Sequence, residues 1–161
     1  MYRIIKILLA LSIAAWALFG ALGNVLDWSG TTGAVTATAS MSTFEGGADN
    51  WRAITNPAVI TVVAIMIPAL KFTAGVFCML GAWRMWNARK ADQAAFQQAK
   101  QAALAGAGIA VILLFVGWIV FAETWFELWR SEPWREAALQ SAFRYAGLIA
   151  LMSLMIGARD D

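Results

Sequence analysis

Three charged residues inside long apolar segments are the strongest candidates for chemistry in this 161-residue sequence: Lys71, Glu123 and Arg144. A charged side chain is costly at membrane depth, where it usually carries a function or pairs with another group. One interpretation makes the three residues a proton or ion relay, or places an anion at Lys71. The other makes Glu123 and Arg144 a structural ion pair, with Lys71 compensated by a carbonyl, a partner subunit or a lipid phosphate.

Lys71 shares its helix face with Pro68, Ala74, Gly75 and Cys78. Small residues allow a second helix to approach closely, so this spacing predicts that Lys71 points into a helical bundle. Pro68 can bend the helix and release one backbone carbonyl. Such a bend suits a binding site and is also common in membrane-helix packing.

Most residue types needed for catalysis or cofactor binding are missing. Histidine is absent, which removes the commonest metal ligand, the usual haem ligand and the commonest general base. The single cysteine, Cys78, excludes an intrachain disulfide. There is no Walker loop, nucleotide-binding glycine pattern, CxxC pair or nucleophile elbow. We therefore predict no metal, no cofactor and no enzymatic activity.

The composition predicts a chain surrounded by lipid. Hydrophobic residues make up 61% of the sequence and charged residues 14%, against about 45–50% and about 25% in soluble domains. Four apolar segments are each close to the ~20 residues that cross a bilayer. We predict an all-α membrane protein, a single four-transmembrane-helix bundle over residues 1–161, with helices at about 4–26, 58–86, 101–128 and 137–157.

Basic residues and tryptophans predict the orientation. Most Lys and Arg residues precede the first segment, follow the fourth or lie between the second and third, which predicts cytoplasmic N and C termini. Tryptophans lie near the segment ends, as an aromatic belt requires: Trp28, Trp51, Trp83, Trp86, Trp125, Trp129 and Trp134. We expect the first segment to be retained as a helix, although Ala21-Leu22-Gly23 would suit signal-peptide cleavage. Net charge is only +2, so no nucleic-acid partner is expected.

The connections differ in composition. The first outer loop, from Asp27 to Pro57, is long, and Ser42 with Glu45 three residues later favours a short helix within it. The middle connection, Arg84 to Lys100, contains neither Gly nor Pro. We expect it to extend the second and third helices as a helical hairpin. Small-residue spacings such as Ala102 to Gly106 favour close contact between helices.

Aromatic and charged residues are concentrated at the predicted outer membrane interface. The run from Glu123 to Arg130 combines two acids, one base and three aromatic residues. Together with the outer loop it indicates a possible outer interface for another protein at Trp51, Arg52, Trp125 and Trp129. The alternative is an ordinary interfacial anchor.

Three pairs of stretches carry a family resemblance: Ser42-Thr43-Phe44 with Trp51-Arg52-Ala53-Ile54-Thr55, Gly81-Ala82-Trp83-Arg84 with Ala91-Asp92-Gln93-Ala94-Ala95-Phe96, and Glu123, Trp125, Phe126 and Trp129 with Gln140, Ala142, Phe143 and Arg144. In this order they resemble a bacterial family of predicted small integral membrane proteins of unknown function (domain-of-unknown-function family 2165). The resemblance implies a four-helix protein of the bacterial inner membrane. It implies no reaction, ligand or catalytic residue.

Three functions remain open. The first is a structural or accessory subunit that packs against a larger inner-membrane complex, with the lipid bilayer and other membrane subunits or copies of this chain as partners. The alternative is a small oligomeric transporter or channel that uses Lys71, Glu123 and Arg144. The third is an enzyme acting on a lipid or quinone, for which the sequence offers no nucleophile–base pair.

Overall fold

The computed structural model describes residues 2–159, except for the side chain of Ala137; Met1, Asp160 and Asp161 of the predicted domain lie outside the described residues. Within that range every regular element is helical. Four helices are long and apolar enough to cross a membrane, and we call them the first to fourth spans: Tyr2–Leu26, Pro57–Asn87, Gln93–Trp125 and Glu132–Gly157. The predicted all-α fold with four membrane helices is confirmed.

The spans are not all simple α-helices. In chain order the α-helices are α1 (Tyr2–Leu26), α2 (Trp28–Ala39), α3 (Pro57–Asn87), α4 (Gln93–Ala99), α5 (Gln101–Ile112), α6 (Glu132–Trp134) and α7 (Ser141–Gly157). Two segments are π-helical, Leu113–Trp125 at the end of the third span and Arg135–Gln140 in the fourth. A 3₁₀ turn, Leu128–Arg130, lies between them.

The helix in the outer loop is α2, and the short helix predicted at Ser42–Glu45 is wrong. Asp27 begins α2 directly after α1, because its side chain accepts a hydrogen bond from the backbone nitrogen of Gly30 at 2.9 Å. Residues 42–52 form turns and bends instead. Met41 has a φ of +51°, a left-handed conformation that cannot continue a helix. The irregular part of the outer loop therefore begins near residue 40.

Neighbouring spans pack in chain order, and the fourth span also contacts the first, which closes the bundle. Small residues dominate the buried centre: Ala10, Ala14, Ala17, Ala74, Ala82, Ala103, Ala107 and Ala110. Gly106 lies directly against the second span, where an added Cβ would be 2.5 Å from the oxygen of Ala74 and 2.7 Å from the nitrogen of Cys78. The backbones of the second and third spans therefore touch at this glycine.

The two described chain ends and the middle connection meet at one end of the bundle, which we call the basic end. Arg3 donates to the backbone oxygen of Ala91 at 2.6 Å. The Nζ atoms of Lys6 and Lys100 both donate to the backbone oxygen of Ala158, at 2.6 and 2.8 Å. Cations are favourable at this position because α7 ends there with unpaired carbonyls. That the basic end faces the cytoplasm stays a prediction.

The middle connection is helical on both sides of a turn at residues 88–92. Asp92 ends the turn by accepting a hydrogen bond from the nitrogen of Ala95 at 2.8 Å, which caps α4. Phe96 on α4 is 0% exposed. Its ring centroid lies 4.7 Å from Cζ of Arg3 and 5.2 Å from Nζ of Lys100. Phe96 thus joins the middle connection to the start of the first span.

Candidate functional site

Lys71 lies between the first and second spans and is bonded within the chain. Its Nζ donates to Oδ1 of Asn24 at 2.7 Å. Its stem passes Gly20, where an added Cβ would lie 3.4 Å from Cδ of Lys71. Asn24 is oriented in turn, because its Nδ2 donates to Oγ1 of Thr31 at 2.9 Å. The group that compensates Lys71 is therefore a side-chain amide of the first span.

The predicted ion pair between Glu123 and Arg144 is wrong. In the described part of the chain no nitrogen of Arg144 lies within 4.0 Å of the Glu123 carboxylate. Arg144 donates instead to its own helix, to the backbone oxygen of Gln140 at 3.3 Å and to Oγ of Ser141 at 3.2 Å. Glu123 lies in a π-helical segment, whose wider turn rotates it away from the face that a 3.6-residue period predicts.

Glu123 and Arg144 nevertheless line one open groove of about 430 Å³ between the third and fourth spans, together with Arg135 and Gln140. We call it the outer groove. Both π-helical segments contribute to it, and π-helical turns are rare and frequent at functional sites. Neither Glu123 nor Arg135 forms a side-chain hydrogen bond or ion pair with another described residue. The outer groove therefore presents charged groups that are available to a ligand.

A second polar cluster, the outer ion-pair network, consists of Arg52, Glu127 and Arg130. The Glu127 carboxylate pairs with Nη2 of Arg52 and, at 3.0 Å, with Nη1 of Arg130. Nη1 of Arg52 also donates to the backbone oxygen of Trp125 at 2.8 Å. Arg130 also contacts the outer loop, because its Cζ lies 4.5 Å from the ring centroid of Phe44. The network thus fixes the outer loop to the end of the third span.

The network supports an exposed aromatic surface, which we call the outer tryptophan surface: Trp51, Trp125 and Trp129. The rings of Trp51 and Trp125 pack edge to face, with centroids 5.7 Å apart and planes at 88°. Cζ of Arg52 lies 5.7 Å from the Trp125 centroid. Trp51 is 82% exposed, and the other two are also exposed. The structure thus brings together Trp51, Arg52 and Trp125 of the predicted outer interface, while Trp129 lines the outer groove.

Glu127 and Asn24 are the main residues that the sequence does not single out. The pairing of Glu127 with Arg130 could have been predicted from the sequence, because Arg130 follows Glu127 by three residues. Its second partner, Arg52, lies 75 positions away, and the sequence gives no indication of this pairing. Glu127 also adopts a φ of +52°, which is uncommon for a residue other than glycine. Residues so distant in sequence can be paired only once the bundle is assembled.

The outer ion-pair network predicts a pH-dependent stability. Hydrogen bonds from Arg52 and then Arg130 hold the pKa of Glu127 below its ordinary value of 4.5. A lowered folded-state pKa stabilises the fold fully above the unfolded value, and that contribution is lost as the pH falls through the folded value. We expect the thermal unfolding temperature of the purified protein in detergent to decrease when the pH is lowered below 4.5. Protonation of Glu127 should account for part of that decrease.

Glu127→Gln tests this assignment. The variant should be less stable than the parent protein at pH 7, and the difference between them should shrink as the pH is lowered below 4.5. Glu45→Gln is the matched control, because the Glu45 side chain is exposed and only its backbone oxygen contacts Arg130. A difference that stays constant from pH 7 to 3 would show that the Glu127 charge does not stabilise the fold.

No group of three or more His, Cys, Asp or Glu residues within the described chain could hold a metal ion. The profile of a family described as predicted small integral membrane protein (DUF2165) matches residues 2–158, which confirms the resemblance found in the sequence. No curated protein and no solved structure matches the chain.

Proposed function

Because the chain belongs to the family of predicted small integral membrane proteins, whose description names no reaction, we propose a function from the contacts of the chain itself. The proposal is that the protein is an accessory subunit of a larger complex in the bacterial inner membrane. The protein is a multi-pass membrane protein with four apolar helices. The observation that carries the proposal is the outer tryptophan surface and its support by the outer ion-pair network.

Trp51 and Trp125 are arranged as residues at a protein interface usually are. Tryptophan and arginine are the residue types most enriched among those that dominate binding energy. An isolated membrane anchor needs only a ring at the headgroup level. Here the ring of Trp51 instead packs against Trp125, and Arg52 is bonded to Glu127 and to the backbone of the third span. Side chains ordered before binding lose less conformational entropy when a partner docks.

The transporter alternative receives less support from the same contacts. A transport site would use Lys71 as a cation that moves or exchanges ligands, but its Nζ is oriented by a hydrogen bond to Asn24, which is itself bonded to Thr31. The centre of the bundle between the spans is filled by alanines such as Ala14, Ala74 and Ala107, each 0% exposed. Glu123 and Arg144 lie in the outer groove between the third and fourth spans, whereas Lys71 lies between the first and second spans. They therefore do not continue a polar route that starts at Lys71.

Site-specific photocrosslinking tests the proposal in native membranes. A benzophenone amino acid replaces Trp51, and in a matched control it replaces Trp83, an exposed tryptophan of the second span near the basic end. We expect the main position-51 adduct to contain one defined membrane protein. Trp51→Ala should then release the 17.4-kDa chain from that protein in mild-detergent purification.

The control variant should give no such adduct. Migration of the native protein as a lone chain, with equal labelling at positions 51 and 83, would contradict an accessory role. An adduct of two copies of this chain would instead assign the outer tryptophan surface to self-association and would also contradict the proposal. Circular dichroism checks that each variant remains folded.

A further inference from the structure

The outer groove contains charges of both signs. Arg135 and Arg144 provide two guanidinium groups, and Glu123 provides one carboxylate. Arg144 uses its Nε and Nη2 for contacts on its own helix. A guanidinium has five N–H donors, so Arg144 can still bind an anion. A ligand that satisfies the groove must therefore bring an anionic group for the arginines and a hydrogen-bond donor for Glu123.

The remaining walls of the outer groove are apolar. Ile119 lies on the third span, and Leu139 and Phe143 lie on the fourth. Phe143 is 70% exposed on the outside of its helix. Trp129 borders the groove in the connection between the two spans, where tryptophan rings usually lie at headgroup level. The groove thus joins a charged region to an apolar surface that faces lipid.

The direction of the Arg144 side chain fits this arrangement. Its bonds run to Gln140 and Ser141, which precede it on the helix. The guanidinium is therefore displaced toward the start of the fourth span, where Arg135 lies. Long basic side chains bend in this way to place their charge at the membrane interface.

We propose that the outer groove binds a phospholipid whose headgroup carries both a phosphodiester and a primary ammonium, as in phosphatidylethanolamine. Arg135 and Arg144 bind the phosphodiester, since guanidinium groups match phosphate oxygens in charge and geometry. Glu123 accepts hydrogen bonds from the ammonium. One acyl chain lies along Ile119, Leu139 and Phe143. A free phosphate would leave both Glu123 and this apolar wall without contacts.

Native mass spectrometry of the full chain tests the proposal with defined lipids. The protein is delipidated in detergent and titrated with phosphatidylethanolamine, phosphatidylglycerol or phosphatidylcholine of identical acyl chains. We expect the tightest binding for phosphatidylethanolamine. Phosphatidylglycerol has no ammonium, and phosphatidylcholine has an ammonium without N–H donors. One charge-assisted hydrogen bond corresponds to about a tenfold preference.

Three variants separate the parts of the site. Glu123→Gln should remove the preference for phosphatidylethanolamine over phosphatidylglycerol, while Arg144→Gln should weaken binding of both about tenfold. Arg144→Lys should restore part of that binding because it restores the positive charge. The matched control is Arg84→Gln, which removes an exposed arginine at the opposite end of the bundle. Equal affinity for the three lipids, or equal effects of Arg144→Gln and Arg84→Gln, would overturn the proposal.

A measurement on the unmodified chain tests the proposal even if the variants fail to fold. Phosphatidylethanolamine with a photoreactive group in its acyl chain is crosslinked to the protein in vesicles, and the labelled peptides are mapped. Labelling concentrated within residues 119–144 supports the site. Labelling spread evenly over the four spans would show an ordinary lipid annulus and overturn it.

Discussion

Gly106→Ala is expected to separate the second and third spans. The added methyl group would lie 2.5 Å from the backbone oxygen of Ala74 and 2.7 Å from both the nitrogen and Sγ of Cys78. Two of these three atoms belong to the backbone, so no side-chain rotation relieves the overlap. Overpacking of this kind costs about 1–3 kcal/mol of the free energy of unfolding. We expect the thermal midpoint in detergent to fall.

Cys78 provides a direct readout of the same change. It is the only cysteine of the chain and is buried. Separation of the two spans should increase its labelling rate with a maleimide about tenfold or more, which corresponds to about 1.4 kcal/mol. Gly108→Ala is the matched control, because an added Cβ there meets nothing within 4 Å. If both variants label at the parental rate, the spans are not in backbone contact at Gly106.

Phe96→Ala is expected to have the largest single effect on stability. The side chain is 0% exposed, and truncation of a fully buried phenylalanine costs about 3–5 kcal/mol. The ring also contacts two cations, Arg3 and Lys100, and each such contact contributes about 0.5–2 kcal/mol. Loss of the ring therefore weakens both the middle connection and its attachment to the first span.

Unfolding by chemical denaturant in detergent measures this loss. Phe115→Ala is the control, since Phe115 is 53% exposed on the outside of the bundle and should change stability little. Phe96→Leu retains most of the apolar volume and removes the aromatic ring, so it isolates the cation contacts. Similar denaturation midpoints for Phe96→Ala and Phe115→Ala would contradict the burial of Phe96.

The four spans are predictable from the sequence because a bilayer allows few backbone conformations. Every backbone polar group must be bonded inside the segment, so about 20 apolar residues in lipid form a helix. The extension of helix into the middle connection is predictable for a related reason, since it lacks Gly and Pro and Asp92 can cap α4. These features depend on local composition alone.

The side-chain contacts of the candidate sites are less predictable. The pairing of Lys71 with Asn24 depends on how far the first span is shifted along the second, which the composition of neither span determines. The expected pairing of Glu123 with Arg144 assumes α-helical geometry, and the π-helical segment changes which residues share a face. The sequence does not predict the helix α2, because its many Gly, Ser and Thr residues are weak helix formers. Its contact with the second span, through Val35 against Ile60 and Ala64, compensates for that weakness.

The bonds at Ala158 have a consequence for the order in which the protein assembles. Lys6 and its acceptor are 152 positions apart, so this contact closes a long loop. Ribosomes make the first span well before the acceptor, at roughly 5–20 residues per second. Closure of the basic end therefore waits until the fourth span has been made. Until then, the first span stays in the membrane by its own apolar length, and it can pack against the second span, which is made before the other two.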